Sequence, residues 1–420
     1  MGTQILLSGG GSTFKLEGTN YLSVLANGTP AENGQAVKDA YALAQTLTPN
    51  GNPLSAENRV TILLASGYYD FKEDIYGQFI ISSKYIDFIS LSGQPDVYFS
   101  SIDVISQTVA GFTTCDIRIV GIDTTKNSYY SHGAFGVESS AGPDENIIIK
   151  NCVGGDYSFS CFSSGFVGEY NNCTARNFSF CCVGDPSAPA GFYGLFANGN
   201  FANFGDIKNC KAEGYSFVVG MWGFSTYTIE NYGTIENCEA IKDRSFVYSL
   251  YRAVNYGSIR NCRADLSSFL FVEDSVIGSG ATINSGRIEG CRTSDNSFVV
   301  YSGGNAAIDS ALNQGEIINC QSFGKFSSFV VNMIFGVGNN SGTVSNCISN
   351  ATDSFCAAYG LNAGYILDCF SSDRSFCSYA PGNIYGDILR CTIVFGTWTT
   401  GTTGGGRVVL GIDSTGVVNF

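Results

Sequence analysis

A six-residue segment recurs along this chain and constrains its fold more than any other feature. The segment reads Gly-Thr-Ile-Glu-Asn-Cys at 233–238, and a Phe follows its cysteine at Phe246. Similar copies end at Cys210, Cys262, Cys291, Cys320, Cys347, Cys369 and Cys391, and looser copies end at Cys152 and Cys173. Every copy but the last is followed by a Ser-Phe pair, with the Phe seven to nine residues after the cysteine.

Successive repeat cysteines are separated by 21 to 37 residues. A repeat of this length is too small to bury its own apolar face, so it must stack on its neighbours. Its short β-branched and aromatic runs, bounded by Gly, Asn and Asp, are typical of strands. We therefore predict an all-β chain that folds as a single-stranded parallel β-helix with one coil per repeat. The handedness rule for parallel crossovers favours a right-handed coil.

Alternation of side chains along strands predicts three inward-facing columns of stacked residues. They are an isoleucine column, a cysteine column and a phenylalanine column: Ile207, Ile235, Ile259, Ile288 and Ile317; Cys210, Cys238, Cys262, Cys291 and Cys320; Phe217, Phe246, Phe269, Phe298 and Phe329. Buried free Cys behaves as a small hydrophobe. We accordingly interpret the 16 cysteines as reduced core residues rather than as a disulfide framework, which fits assembly in a cytoplasm.

The residues after the repeat Ile and after the repeat Cys should face outward. In the middle coils they are charged, with alternating sign at Glu236, Arg260 and Glu289, as suits stacked neighbours. In the last coils they become apolar, and these residues form a candidate interface: Ile318, Ile348, Leu367, Phe370 and Leu389. Either the C-terminal tail folds back over this face or another subunit covers it, and the two are compatible. The second alternative predicts a homo-oligomer, such as a trimer.

Composition and periodicity divide the chain into four regions. We predict an N-terminal arm over 1–28, a capping helix with the first coils over 29–125, the repeat β-helix over 126–394, and a C-terminal tail or clasp over 395–420. Thr29, Pro30 and Glu32 have the form of a helical capping box, with Asn33 as an alternative cap. Such a helix would cover the unpaired backbone of the first coil.

Charge and residue counts exclude several classes of function. A net charge of −14 argues against nucleic-acid binding, which requires a basic surface. No apolar run reaches 18 residues, so we expect no membrane insertion, and the first residues do not form a standard signal peptide. His132 is the only histidine, which disfavours His-dependent catalysis and His-rich metal sites. We predict no catalytic residue, no metal and no cofactor.

Two groups of residues allow a functional and a structural interpretation. Aspartates precede the Ser-Phe pairs at Asp156, Asp243, Asp265, Asp295, Asp353 and Asp373. Paired carboxylates could form a glycosidase site, but an Asp that recurs in every coil is better explained as a turn residue. Tyrosines near the turns, at Tyr227, Tyr232, Tyr251 and Tyr256, could stack on sugars or fill the surface.

The N-terminal segments and the cysteine repeat resemble sequences of known phage proteins. Residues 26–29, the predicted helix at 34–47 and the segment 60–68 resemble the N-terminal module of pectate-lyase-like β-helix proteins of tailed phages. The repeat Asn-Cys-x-x-Gly-Asp-x-Ser-Phe, complete at 151–159, is similar to repeats in appendage proteins of phages that infect marine bacteria and cyanobacteria. The resemblance covers most of 20–391. It does not include a large head-binding domain or the Asp/Arg calcium cluster of true pectate lyases.

The resemblance implies a virion appendage that faces the host surface and is often trimeric. We therefore expect a non-enzymatic tail fibre, spike or head-fibre component, assembled in the host cytoplasm and exposed on the virion. Expected partners are further copies of the chain in a homotrimer, other virion proteins through the N-terminal arm, and host-surface polysaccharide. The alternatives are a polysaccharide depolymerase, with carboxylates near the 185–200 loop, and a bacterial surface adhesin.

Overall fold

The structure is a computed structural model, and it divides into two compact units. Unit 1 comprises 1–194 with 204–211, and unit 2 comprises 195–203 with 212–420. The described residues are 4–7, 20–71, 79–81, 83–100, 102–106, 117–124, 135–139, 144–154, 160–161, 165–175, 180, 182–183, 201–213, 217–220, 228–241, 246–249, 252–265, 269–273, 281–294, 298–302, 310–324, 329–332, 337–351, 356–357, 361–371, 383–384, 387–393, 408–409, 411–412 and 418–419. Short strands stacked in parallel build most of both units, which confirms the predicted parallel β-helix.

Unit 1 stacks its strands in three parallel sheets. The first contains Gln4–Leu7, Tyr21–Val24, Val60–Leu64, Ile86–Ser90, Ile117–Val120, Asp144–Lys150, Gly165–Asn171 and Asp206–Lys208. The second contains Gly67–Tyr69, Val97–Phe99, Ile122–Asp123, Val153–Gly154 and Thr174–Ala175, and the third contains Phe79–Ile81, Ile102–Ser106, Phe135–Ser139 and Ser160–Cys161. Unit 1 also holds the strand Cys182–Val183. Two strands of the first sheet fall within 1–28, so these parts of the predicted arm are paired in the stack.

One α-helix, Pro30–Ala44, covers the first coils of unit 1, and a 3₁₀ turn follows at Pro49–Gly51. The predicted capping box is present, because Thr29 and Glu32 each accept a hydrogen bond from the backbone of the other. The alternative with Asn33 as the cap is wrong. Asn33 lies inside the helix and donates to the Tyr68 carbonyl at 3.0 Å. A Cβ at Gly34 would lie 2.2 Å from the Asp70 carbonyl oxygen, so only glycine permits this close contact.

Unit 2 consists of four parallel ladders of strands, which we name after the repeat residue that defines each. The asparagine-strand ladder contains Phe201–Asn203, Thr228–Asn231, Arg252–Asn255, Ala281–Asn284, Ser310–Asn313, Val337–Asn340, Leu361–Asn362 and Asn383–Ile384. The isoleucine-strand ladder contains Thr234–Glu236, Ser258–Arg260, Arg287–Glu289, Glu316–Ile318, Thr343–Ser345, Tyr365–Leu367, Asp387–Leu389 and Val408–Val409.

The other two ladders follow the repeat cysteine and the repeat phenylalanine. The post-cysteine ladder contains Glu239–Ile241, Arg263–Asp265, Arg292–Ser294, Gln321–Gly324, Ile348–Ala351, Phe370–Ser371, Thr392–Ile393 and Gly411–Ile412. The post-phenylalanine ladder contains Val218–Gly220, Val247–Ser249, Leu270–Glu273, Val299–Ser302, Val330–Asn332 and Cys356–Ala357. A further strand, Lys211–Glu213, follows Cys210 in the chain.

The described strands of the C-terminal tail continue this stack. Val408–Val409 pairs in parallel with the isoleucine-strand ladder, and Gly411–Ile412 pairs with the post-cysteine ladder. Val418–Asn419 then turns back and pairs antiparallel with Gly411–Ile412. These pairings place the described tail strands at the end of the ladders, which differs from a tail that folds back over the outer face.

The three predicted columns are buried, but strict alternation along one strand is not the reason. Ile and Cys are three residues apart, and an unbroken strand would point them to opposite faces. Instead, the strands of the isoleucine-strand ladder that precede a repeat cysteine end at a corner residue in the left-handed conformation, such as Asn261 with a φ of 52° or Gly290 with a φ of 64°. This corner turns the chain so that Ile259 and Cys262 both face inward. Asn tolerates this conformation better than other residues with a Cβ.

The phenylalanine column is a continuous stack in unit 2. Ring centroids of successive members are 4.7 to 4.9 Å apart with nearly parallel planes, a spacing that equals the separation of paired strands, about 4.8 Å. The five predicted members, Phe217, Phe246, Phe269, Phe298 and Phe329, are all buried. The coil spacing therefore dictates how these rings stack.

A fourth inward column, made of asparagines, runs through unit 2 and was not predicted. Seven asparagines of the asparagine-strand ladder are fully buried: Asn203, Asn231, Asn255, Asn284, Asn313, Asn340 and Asn362. The side-chain amide of each of the first six donates from Nδ2 to Oδ1 of the asparagine in the next coil, at 2.8 to 2.9 Å. We call this column of hydrogen-bonded side chains the asparagine ladder, whereas the asparagine-strand ladder is the set of backbone strands that carry it. It ends where Ile384 takes the position that pairs with Asn362.

The asparagine ladder also holds the adjacent corner. The backbone carbonyls of the first six asparagines each accept two hydrogen bonds from the next coil, as Asn255 does from the amides of Ser285 and Gly286, both at 2.8 Å. A Cβ at Gly286 would lie 2.2 Å from the Gly257 carbonyl oxygen, and Gly257, Gly315, Gly342 and Gly364 are equally crowded by the preceding coil. The motif Asn-x-Gly is therefore one structural unit.

We predict that Asn284→Ala lowers the free energy of unfolding by about 3–5 kcal/mol. The substitution leaves the Asn255 Nδ2 donor and the Asn313 Oδ1 acceptor buried without their partner, and each such loss costs about 1–3 kcal/mol. Urea denaturation measures the change.

The matched control is Asn319→Gly, which alters the exposed corner asparagine of the following coil. Its φ of 55° suits glycine, and Gly290 holds the same position one coil earlier. We expect this variant to change stability by less than about 1 kcal/mol. Equal losses in the two variants would contradict a special role for the buried ladder.

Candidate functional surface

The inward positions of unit 2 are occupied by the structural columns, so the outward positions are the candidates for function. The register of the ladders places Glu236, Arg260 and Glu289 next to each other on the isoleucine-strand ladder, as the alternating charges predicted. Arg287 adds bonds to Glu289 at 3.0 Å and to Glu316 at 3.1 Å. These exposed pairs contribute little to stability individually, but they make the middle coils hydrophilic.

The predicted interface residues lie together in two adjacent columns, and we call them the apolar strip. Ile318, Leu367 and Leu389 share the outer column of the isoleucine-strand ladder, with Ser345 between the first two. Ile348 and Phe370 are paired neighbours on the post-cysteine ladder. All five side chains are half-buried. Tyr365, 54% exposed, lies on the same strand as Leu367.

Polar groups border the apolar strip. Arg390 donates two hydrogen bonds to the carboxylate of Asp368, both at 2.5 Å, and this pairing lowers the pKa of Asp368. Arg287 and Glu316 lie in the coils where the strip begins. An apolar surface with a charged border has the composition of a protein–protein interface, in which the centre is depleted in charge and the rim is polar.

A second exposed feature is a pair of tyrosines at the x positions of two Asn-x-Gly motifs. The rings of Tyr232 and Tyr256 stack with centroids 4.8 Å apart and planes 15° apart, although 44% and 41% of these residues remain exposed. The Tyr232 hydroxyl forms a hydrogen bond with Glu230, and burial and this acidic neighbour raise the pKa of Tyr232. Of the other turn tyrosines, Tyr227 and Tyr251 lie outside the described residues.

The structure describes only part of the predicted turn chemistry. Asp265 forms an ion pair with Arg263 at 2.9 Å and accepts a hydrogen bond from the Ser294 hydroxyl at 3.1 Å. The other five aspartates before the Ser-Phe pairs, His132 and the 185–200 loop lie outside the described residues. Within the described ranges, no group of three or more His, Cys, Asp or Glu side chains could hold a metal ion, and no helix there is long and apolar enough to span a membrane.

The ten repeat cysteines are buried, and none of these ten forms a disulfide. Cys262 Sγ lies 3.0 Å from the Arg260 carbonyl oxygen, and Cys291 Sγ lies 3.2 Å from that of Glu289. These contacts suit a thiol that donates its proton to the backbone two residues earlier. Burial raises the pKa of Cys152, Cys262 and Cys291 well above the ordinary value. The thiols of Cys152, Cys262 and Cys291 are therefore buried structural groups that stay in the protonated form.

Two features of unit 2, one buried and one exposed, could have been recognised in the sequence. The buried asparagines stand two residues before the repeat glycine in seven successive coils, so Asn-x-Gly was a visible signal. The tyrosine pair follows from the same signal, since x is tyrosine in two consecutive copies. The stacking itself could not be seen before the register of the coils was known.

Comparison of the chain with protein-family models, curated proteins and solved structures found no match. The fold, its surfaces and the sequence resemblance are therefore the basis for the functional proposal.

We predict that Cys262 and Cys291 resist alkylation in the native protein, even at a pH near the ordinary thiol pKa of about 8.5. Burial excludes the reagent and disfavours the reactive thiolate. Iodoacetamide treatment followed by peptide mass mapping measures the modified fraction at each cysteine. A sample unfolded in guanidinium is the control and should be alkylated fully. Rapid alkylation of these two residues without unfolding would contradict a closed cysteine column.

Proposed function

We propose that this chain is a component of a virion appendage of a tailed phage, a tail fibre, spike or head fibre, and that it binds the host cell surface. The observation that carries the proposal is the contrast between inward and outward positions in unit 2. The asparagine ladder repeats one residue in seven coils, whereas the outward column of the isoleucine-strand ladder changes from charged to apolar residues along the same unit.

A constant interior with a variable exterior suits a scaffold that presents contact surfaces. Each coil is held by the same interactions, so outward residues can differ without loss of the fold. Catalysis would instead require one coil with a distinct constellation of side chains. The resemblance of the repeat and of the N-terminal segment to phage appendage proteins supports the virion as the location.

The proposed assembly is a homotrimer in which the apolar strip contacts further copies of the chain. The strip contains large apolar side chains that stay partly exposed, and its polar border provides both signs of charge within Arg390, Asp368, Arg287 and Glu316. Contacts with other virion proteins are assigned to the N-terminal region, of which Gln4–Leu7 forms the outermost paired strand described.

A binding experiment tests the proposed function against its enzymatic alternative. The purified chain is mixed with surface polysaccharide from candidate host bacteria, and the mixture is separated on a sizing column. We expect the polysaccharide to co-elute with the protein at unchanged chain length. Shortened polysaccharide would establish a depolymerase instead. No co-elution and no shortening across the candidate hosts would contradict host-surface binding.

A charge placed in the apolar strip tests the proposed assembly. We predict that Leu367→Asp weakens self-association by about tenfold or more, because an ionised carboxylate would be buried without a partner in the interface. Light scattering over a range of concentrations measures the mass. Thr234→Asp places the same charge outward on the same ladder, in an earlier coil, and should leave the mass unchanged. A wild-type chain that is a monomer at all concentrations would overturn the trimer.

A further inference from the structure

We propose that Tyr232 and Tyr256 form a stacking platform for a neutral sugar ring of the host polysaccharide. This inference rests on the proposed function and names the site and the ligand class for it. The two side chains stand side by side on consecutive coils of unit 2, at the same position of the Asn-x-Gly motif. Their backbone is fixed by the asparagine ladder below them.

The tyrosines are held rigidly at the surface. The amides of Tyr256 and Gly257 both donate to the Asn231 carbonyl at 2.8 Å, and Asn231 itself belongs to the buried ladder. The rings stack at 4.8 Å, so each restricts the rotation of the other. A platform that is already ordered loses little conformational entropy when a ligand binds.

The residue at the x position of the Asn-x-Gly motif changes from tyrosine to a small residue at the next coil, and this change leaves room for a ligand. Ser285 occupies the position that follows Tyr256, because Asn284 pairs with Asn255. A serine side chain is too small to cover the ring of Tyr256 as Tyr256 covers that of Tyr232. The following position is Gln314, which receives a hydrogen bond from the Ser285 hydroxyl at 3.3 Å. An aromatic face thus adjoins a hydroxyl and an amide.

This arrangement matches the chemistry of a pyranose ring. One face of such a ring presents C–H groups that can pack on an aromatic side chain, and its edge presents hydroxyls. Gln314 can donate and accept hydrogen bonds. At the other ring, Glu230 accepts from the Tyr232 hydroxyl and has further lone pairs for a sugar hydroxyl, a bond strengthened by its charge. A tyrosine combines an apolar body with a polar tip, which suits this dual contact.

The charges of the site favour a neutral ligand. Glu230 lies beside the platform, and the chain has a net charge of −14, so an acidic polysaccharide would be repelled. Arg252 exerts an opposing influence on the Tyr232 hydroxyl, since it lowers the pKa of Tyr232, and its Nε is buried. Nucleic-acid bases also stack on aromatic rings, yet their binding requires a positively charged groove.

Saturation-transfer NMR on the full chain tests the platform with defined probes. The neutral probes are hexasaccharides of β-linked glucose, α-linked glucose and mannose, and the acidic probe is a hexamer of galacturonate. We expect at least one neutral probe to bind, with transfer to its C–H protons, and the galacturonate probe to bind more weakly. Tyr256→Ala and Tyr232→Ala should each weaken binding by about tenfold, by analogy with base stacking on aromatic rings.

Two further variants separate stacking from general effects on the surface. Tyr256→Phe keeps the ring and should bind like the wild type. Tyr365→Ala removes a tyrosine that is 54% exposed and belongs to the isoleucine-strand ladder; it should also leave binding unchanged. Thermal unfolding of all variants shows whether the fold is intact, which is expected because the removed rings are at the surface.

Three results would overturn the platform: binding of none of the neutral probes, unchanged binding in both alanine variants, or preference for galacturonate. None of these three results decides the proposed function, which the co-elution experiment with host polysaccharide tests. If host polysaccharide still co-elutes with the Tyr256→Ala chain as with the wild type, the binding site lies elsewhere on the surface. If it co-elutes with neither, host-surface binding itself is wrong.

Discussion

The hydrogen-bonded asparagine ladder is the interaction on which unit 2 depends most. A buried primary amide without partners costs about 1–3 kcal/mol, and here each amide finds its partners only when the neighbouring coil is in register. Isoleucine and phenylalanine columns stabilise the coils by burial, which is non-directional and tolerates small shifts. The amide ladder is directional. It therefore specifies which residue of one coil lies over which residue of the next.

The same ladder connects the interior to the surface. Asparagine carbonyls receive the amides of the next Asn-x-Gly corner, and glycine allows the corners to approach within contact distance. The residue between them is consequently fixed in position while its side chain is directed outward, as the partly exposed Tyr232 and Tyr256 show. A recognition residue placed there inherits the rigidity of the core, which reduces the entropy lost on binding.

The repeat predicted the fold class and the burial of its columns because period and residue type recur in every coil. The repeat did not predict how the side chains of Ile259 and Cys262 both come to face the interior of the coil. That outcome depends on the left-handed conformation of Asn261, a backbone property that many sequences with Asn do not adopt. The buried role of Asn284 was also missed, since asparagine is ordinarily a surface or turn residue and only its partners in adjacent coils reverse that preference.

The sequence by itself determined the stacking architecture, the capping box of the N-terminal helix and the change from charged to apolar outward columns. These are local or periodic properties, and each is visible in residue order. The tertiary structure alone decided which side chains become neighbours across coils: the amides of Asn255 and Asn284, the rings of Tyr232 and Tyr256, and the side chains of the apolar strip. Spacers between coils vary in length, so contacts between residues 22 to 29 positions apart follow from strand register rather than from distance along the chain.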